Sequence, residues 1–186
     1  MSQTTQAVSA SRSKFSVRDI CYAGLFAAVI AVMAQISIPM PLGVPMTMQT
    51  FAITLAAVVL GSKLSAIATL VYLALGAVGV PVLANFSGGF DKFVGPTGGF
   101  PLMAYIIGLG VEHRNAFKGA FVTAVVVGTL VNYVVGVALF VVVAHSTVAV
   151  GISACVLPFI PTAIIKAVLA CAIGLNLRKR IPGLKA

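Results

Sequence analysis

Residues 44–60 read VPMTMQTFAITLAAVVL, a polar start with one proline that leads directly into an apolar run. Residues 88–99, GGFDKFVGPTGG, form a second polar segment that is rich in glycine. Most of the remaining sequence consists of Val, Ala, Leu and Ile, whose transfer out of water is favourable. We therefore expect the two polar segments to form the lid and lip of a solute-binding pocket on an apolar scaffold.

The composition indicates an integral membrane protein. The 186 residues are 60% hydrophobic and 8% charged, whereas soluble domains carry about 25% charged residues. So few charged residues could not cover a surface that faces water. At about 20 apolar residues per transmembrane helix, the chain has room for roughly five to seven helices in one domain.

Apolar runs separated by polar connections predict an all-α fold with six transmembrane helices. Residues 1–186 are expected to form a single membrane domain, with residues 1–14 as a mobile tail in the aqueous phase. Residues 145–157 are expected to be an uncharged connection. The predicted spans cover residues 17–38, 47 or 50 to 60, 64–78, 97–111, 117–144, and 158 or 161 to 180.

The basic residues indicate the orientation of these helices rather than a surface for nucleic acid. The net charge is +9, but the 12 Lys and Arg residues lie between the apolar runs instead of forming one basic face. With both termini in the cytoplasm, all of them except Lys92 and Lys166 fall on the cytoplasmic side, as the positive-inside rule predicts. The two polar segments then lie on the outer side.

Lys166 is the most informative single residue for a binding site, because it interrupts the apolar run of the last predicted helix. It lies about 18 Å before the basic end of that helix at 1.5 Å per residue. An ammonium group in hydrocarbon costs at least ~3 kcal/mol and needs a partner. Asp19 and Glu112 belong to the inner ends of helices, so either Asp91 pairs with Lys166 or the lysine binds an anionic ligand.

Further polar residues are expected near the outer surface of the membrane. Thr47, Gln49 and Asn85 supply hydrogen-bond donors and acceptors there, although Thr47 could merely cap a helix. For Asn132, in the fifth apolar run, we favour an interhelical hydrogen bond over a ligand contact. Ala23, Ala27 and Ala31 recur every four residues and so make a smooth helix face, which could serve a partner helix or packing within the chain.

The residue content argues against an enzyme. Three scattered acids, two loop histidines and three cysteines in apolar runs form no plausible catalytic or metal-binding group. The sequence has no GxxxxGK[ST] phosphate-binding loop, so this chain cannot hydrolyse ATP itself.

Four motifs then occur in order: VPMTMQT at 44–50, YLALGAVGVP at 72–81, GPTGG at 95–99, and LPFIP at 157–161 followed by Lys166. Together they resemble the BioY family, the biotin-specific substrate-binding (S) components of energy-coupling factor (ECF) transporters. The resemblance implies a six-helix S-component bundle in a prokaryotic cell membrane that captures biotin on its outer face. It also implies a transmembrane coupling protein and two cytoplasmic ATPase subunits as partners. Those subunits would use the ATP, and this chain would need no cofactor.

The resemblance also suggests roles for individual residues. The carboxylate of biotin would meet Lys166, and its ureido ring would meet Gln49, Asn85 and Asp91. Thr97, Gly98 and Gly99 would form the lip of the pocket, and the alanine strip would dock the coupling protein. The sequence departs from the family pattern at Ala163, where members often have Asp, and at Phe100, where Tyr is common.

Two alternatives from the sequence remain open beside this one. The chain could transport biotin alone, as an oligomer, or it could be a membrane scaffold whose small-residue strips bind partner helices. An intramembrane enzyme is the least favoured, because the necessary acid–base groups are missing.

Overall fold

The computed structural model of the chain describes residues 16–40, 43–90, 96–116 and 119–181. The predicted tail at residues 1–14 lies outside these ranges, as do Asp91 and Lys92. Short strands β1 (Ser37–Ile38) and β2 (Met46–Thr47) pair antiparallel, and 3₁₀ turns cover Ala84–Phe86 and Pro96–Gly99. The α-helices include α1 (Val17–Ala34), α2 (Gln49–Leu60), α3 (Ser62–Ala77), α4 (Phe100–Glu112), α5 (Ala120–Val143), α6 (Val148–Cys155) and α7 (Ile160–Arg180).

Helix α2 forms the centre of the bundle, and its sequence explains why. It is apolar on every face, as expected of a helix that is surrounded by protein, and all of its residues except Thr50 are buried. It packs against α1, α3, α4 and α7. The outer helices, in contrast, expose apolar side chains on the outside of the bundle. On α5 these include Val122, Val126, Leu130 and Val134.

Three helices in the described ranges are long and apolar enough to cross a membrane, namely α1, α5 and α7. Helices α2 and α3 are apolar but shorter. The 12 residues of α2 extend only about 18 Å at 1.5 Å per residue, against a hydrocarbon thickness of about 30 Å. The mostly helical fold therefore agrees with the prediction, whereas the six spans and the cytoplasmic termini stay predictions.

Two predicted boundaries were wrong. Helix α1 ends at Ala34 rather than at residue 38, because Ser37 and Ile38 pair with the strand that precedes α2. Ile38 also precedes Pro39, and a residue before proline favours extended backbone. The predicted connection 145–157 contains helix α6. The Thr147 hydroxyl caps the first turn of α6, because it accepts from the Val150 backbone N–H at 3.4 Å.

Polar contacts close the end of the bundle where α2 finishes. The Arg178 guanidinium is buried and donates to the carbonyl oxygens of Val58 at 3.2 Å and Val59 at 3.1 Å. The Glu112 carboxylate accepts from the backbone N–H of Ser62 at 2.7 Å. The last four carbonyls and the first four N–H groups of a helix have no partner within it. Arg178 therefore satisfies carbonyls at the end of α2, and Glu112 satisfies the first N–H of α3.

Replacing Arg178 with Met should therefore lower stability, since it leaves the Val58 and Val59 carbonyls unpaired. We expect a loss of about 1–3 kcal/mol, measured as a lower thermal unfolding midpoint in detergent. Lys179→Met is the matched control, because Lys179 is exposed one position further along the same helix. Equal midpoints for the two variants would show that the Arg178 contacts contribute nothing.

Candidate functional site

A cavity of about 490 Å³ opens at the end of the bundle where α2, α4 and α7 begin and α5 ends. Its volume falls within the roughly 300–1,000 Å³ of small-molecule sites. An apolar wall comes mainly from the second half of α5 and the starts of α4 and α7. That wall includes Phe100, Tyr133, Phe140, Val143 and Phe159, and the polar lining includes Thr47, Gln49, Thr50, Asn85, Asn132 and Lys166.

Lys166 reaches the cavity from the second turn of α7. Its side chain is buried, 9% exposed, and its Nζ donates to the Thr47 carbonyl oxygen at 2.6 Å. The carboxylates of the described ranges are engaged elsewhere: Asp19 accepts from the Ser16 N–H, and Glu112 binds Ser62. Asp91, the alternative partner predicted from the sequence, lies outside the described residues. Within those residues, the ammonium therefore meets a carbonyl dipole but no counter-ion.

Gln49 is held in place by two neighbours. Its Oε1 accepts from the Thr47 hydroxyl at 2.7 Å, and its Nε2 donates to the Tyr72 hydroxyl at 2.5 Å. Tyr72 is fully buried on α3, so the amide cannot rotate freely. One N–H of the Gln49 amide remains for a ligand. The Thr47 hydroxyl also accepts from the Gln49 backbone N–H at 3.3 Å. The N-cap position of α2 is Met48, which makes no side-chain capping bond, so Thr47 is not the N-cap residue.

Asn85 lies in a tight turn that is held in place by hydrogen bonds from a distant glutamine side chain. Asn85 and Phe86 have φ of 58° and 51°, which is uncommon for residues other than glycine. The Gln35 side chain, just beyond the end of α1, donates to the Leu83 carbonyl at 3.1 Å and accepts from the Phe86 N–H at 2.8 Å. Sequence reasoning missed Gln35, because its contacts to this turn are with main-chain atoms about fifty residues away, which leave no local pattern.

The structure separates the predicted lip into two parts. Thr97 lines the cavity, whereas Gly98 and Gly99 pack against α5. A methyl group on Gly99 would lie 2.7 Å from Asn132 Oδ1 and 2.9 Å from the Asn132 carbonyl oxygen, so only glycine allows this close approach. The two departures from the family pattern, Phe100 and Ala163, both line the cavity.

Asn132 is buried and lines the cavity, and its Oδ1 has no hydrogen-bond partner among the residues that the structure describes. Within the described residues, this oxygen therefore does not form the interhelical hydrogen bond that we favoured for Asn132. Tyr72, Tyr133, Phe140 and Phe159 were also missed as site residues. Tyr72 and Phe159 lie in the motifs at 72–81 and 157–161, whereas the only signal of Tyr133 and Phe140 was an aromatic residue within an otherwise aliphatic run.

The alanine strip of α1 lies largely inside the chain. Ala23 and Ala27 are buried in the core, and Ala31 is partly exposed. The structure thus uses two of the three residues for packing within the chain. Docking of a partner protein on this strip stays a prediction. Among the described residues, no group of three or more His, Cys, Asp or Glu side chains could hold a metal ion.

Apolar helices of membrane-spanning length around a cavity with a partly polar lining indicate an integral membrane protein with a small-molecule site. The sequence model of the BioY family matches residues 4–183, and the chain therefore belongs to the BioY family. Membership confirms the expected family and the expected multi-pass membrane location.

Curated relatives and a solved structure agree with this assignment. The chain is 41% identical over 167 residues to the biotin transporter BioY of Thermotoga maritima, covering 88% of this chain and 97% of that protein. It is 36% identical over 178 residues to the biotin transporter BioY of Rhizobium etli, covering 86% and 92%. A crystal structure of the S-component for biotin from an ECF-type ABC transporter superimposes with a TM-score of 0.77 at 25% identity, covering 88% and 92%.

Gln35→Met should loosen the turn that carries Asn85, because the side chain keeps its size but loses its contacts to the Leu83 and Phe86 main chain. Losing one hydrogen bond of ~1 kcal/mol should make the Phe86 amide exchange its hydrogen roughly fivefold faster or more. Exchange can be followed by mass spectrometry of peptides that cover the turn.

Ser37→Ala is the matched control, since Ser37 contacts the Asn85 side chain and not the Phe86 amide. Wild-type exchange of the Phe86 amide in Gln35→Met would show that Gln35 does not hold the turn.

Proposed function

We propose that this chain is the biotin-capturing S component of an ECF-type vitamin transporter. Its similarity to proteins named biotin transporter BioY supports biotin as the ligand. Its similarity to an S-component for biotin supports operation with a transmembrane coupling protein and two cytoplasmic ATPase subunits. Because the sequence has no phosphate-binding loop, the energy for uptake would have to come from such partners.

The observation that carries the proposal is the Lys166 ammonium at the cavity. It donates to the Thr47 carbonyl, and an ammonium group has three N–H donors, so two remain for a ligand. A carboxylate at about 4 Å would be attracted by ~4 kcal/mol at an effective dielectric of 20. We assign the biotin carboxylate to Lys166 on this basis.

The remaining parts of biotin match the remaining parts of the wall. The valeryl chain is apolar and suits the aromatic and aliphatic surface formed by α4, α5 and α7. The ureido ring has two N–H donors and one carbonyl acceptor, which suit the amides of Gln49 and Asn85. We also assign Asp91 to the ureido ring and Thr97 to the rim of the cavity.

The distribution of charge supports a cavity that opens outward. The described basic residues other than Lys166 lie at the opposite end of the bundle: Arg18 begins α1, Lys63 begins α3, Arg114 follows α4, and residues 178–180 end α7. By the positive-inside rule this end faces the cytoplasm. We propose that both termini are cytoplasmic and that biotin enters from the outer side.

Release of biotin would need a second arrangement of the protein with lower affinity, because a ligand can shift an equilibrium only by its differential affinity for the two states. We propose that docking to the coupling protein provides this low-affinity arrangement, with the partly exposed Ala31 side of α1 as the contact.

Uptake of labelled biotin should then require the coupling protein and both ATPases. Uptake by this chain in cells without those subunits would favour the solitary transporter instead.

Lys166→Met should weaken biotin binding at least about tenfold, the loss expected for a hydrogen bond to a charged group. Binding of biotin amide, which has no carboxylate, should change much less. Affinities can be measured by calorimetry with purified protein in detergent.

Lys63→Met serves as the control, since it removes an exposed lysine at the far end of the bundle. Equal losses for biotin and biotin amide in Lys166→Met would reject the carboxylate assignment. Absence of biotin binding by the wild-type chain would reject biotin as the ligand.

A further inference from the structure

Phe86 is an exposed aromatic residue whose backbone has a conformation that bulky residues rarely adopt. Its φ is 51°, in the left-handed region that costs free energy for a large side chain. Its side chain is nevertheless 72% exposed. Its neighbours Asn85 and Ser87 line the cavity, whereas Phe86 does not. The turn therefore directs the Phe86 side chain away from the cavity and leaves most of it uncovered by the described part of the chain.

The loop that carries Phe86, residues 78–90, is fixed against the rest of the bundle. Leu83 is buried, and a methyl group on Gly76 of α3 would lie 2.7 Å from its side chain. The Gly89 N–H donates to the Gly76 carbonyl oxygen at 2.8 Å, and the Phe86 N–H donates to Gln35 Oε1 at 2.8 Å. These contacts set the position of the turn, so the exposure of Phe86 is a property of the fold.

The main chain of this loop is largely hydrogen-bonded within the protein. Most of its amide N–H groups donate to oxygen atoms of the chain. The Gln35 side chain also donates to the carbonyl oxygens of Val82 at 3.2 Å and Leu83 at 3.1 Å. Irregular backbone in contact with lipid is costly where its polar groups lack partners. The loop thus meets the main requirement for a position against a bilayer.

The exposed surface around the turn is apolar and uncharged. Residues 36–40, 43–50 and 78–90 contain no Lys, Arg, Asp or Glu. The exposed apolar side chains that follow α1 and α3 include Ile36, Ile38, Val78 and Val80. They continue the exposed apolar surface of these two helices, which includes Val32 on α1 and Leu75 on α3. Since lipid surrounds the outside of a multi-pass membrane protein, the lipid-facing surface extends up to the turn.

We propose that the Phe86 turn lies in the interfacial layer of the bilayer and that lipid covers the Phe86 ring. Phe is among the residues that insert at the boundary between headgroups and acyl chains. Burial of the ring there is favourable and offsets the cost of the backbone conformation. The membrane and Gln35 then restrain the same turn, from which Asn85 lines the cavity.

Fluorescence quenching tests where Phe86 lies. The chain has no Trp, so Phe86→Trp introduces a single indole. In vesicles of brominated phosphatidylcholine this variant should lose most of its emission, whereas iodide in the water should quench it little. Asn115→Trp is the control, since Asn115 is exposed in the polar turn after α4, and it should respond to the two quenchers in the opposite order.

Two results of this experiment would overturn the inference. Stronger quenching of Phe86→Trp by iodide than by brominated lipid would show that the turn faces water. Resistance to both quenchers would show that protein covers this surface, as a second copy of the chain would.

Hydrogen exchange tests whether the lipid contact restrains the turn. In lipid nanodiscs, Phe86→Ser should lower the protection factor of the amide at position 86 about tenfold, because a large apolar side chain no longer anchors the turn in an apolar layer. Val142→Ser is the matched control, since it removes a side chain that is 67% exposed near the cavity end of α5, and it should leave this protection unchanged.

Wild-type protection in Phe86→Ser, or equal losses in the two serine variants, would show that lipid does not restrain the turn. None of these measurements uses biotin, so their outcome is independent of the proposed function.

Discussion

The contact on which the site depends is the hydrogen bond from the Lys166 ammonium to the Thr47 carbonyl oxygen, 2.6 Å long. It joins α7 to strand β2, at the point where the chain turns into the central helix α2. A buried cation in a membrane needs compensation, and one carbonyl supplies only part of it. The contact thus holds the charge at the cavity, and no carboxylate among the described residues completes the compensation.

Thr47 links this contact to the opposite wall of the cavity. Its carbonyl accepts from Lys166, while its hydroxyl donates to Gln49, which in turn donates to Tyr72 on α3. A displacement of α7 would therefore shift the Gln49 amide as well, because Thr47 of β2 contacts both Lys166 and Gln49. Hydrogen-bond chains of this kind fix the direction of each polar group, which is what a selective site requires.

The sequence predicted those parts of the fold and site that depend on composition and local pattern. Hydrophobic runs located the helices, and the cost of a buried charge identified Lys166. The structure brings Lys166, Thr47, Gln49 and Asn85 to one cavity, and their binding of a ligand stays a prediction. The early end of α1 was not predictable, because it depends on the pairing of residues 37–38 with 46–47, and neither segment is long enough to show a strand pattern.

Residues whose contacts are distant in the chain could not be predicted from the sequence either. In the sequence, Gln35 looks like an ordinary polar residue after a helix. Arg178 looks like an ordinary member of a basic tail. Their functions come from main-chain atoms that only the folded chain places beside them. Asn132 is the converse case: its sequence context suggested a helix contact, but the close approach of Gly99 shields its oxygen without bonding it.

These observations divide the bundle into two ends with different physical roles. At the cytoplasmic end that we propose, the described polar groups satisfy one another: Arg178 binds the carbonyls of α2, and Glu112 binds the turn into α3. At the cavity end, Lys166 and Asn132 keep unused hydrogen-bonding capacity. Because a ligand that binds the folded state stabilises it, we expect a ligand that fills the open hydrogen bonds at the cavity to stabilise the bundle, while the contacts of Arg178 and Glu112 hold the helices together at the other end.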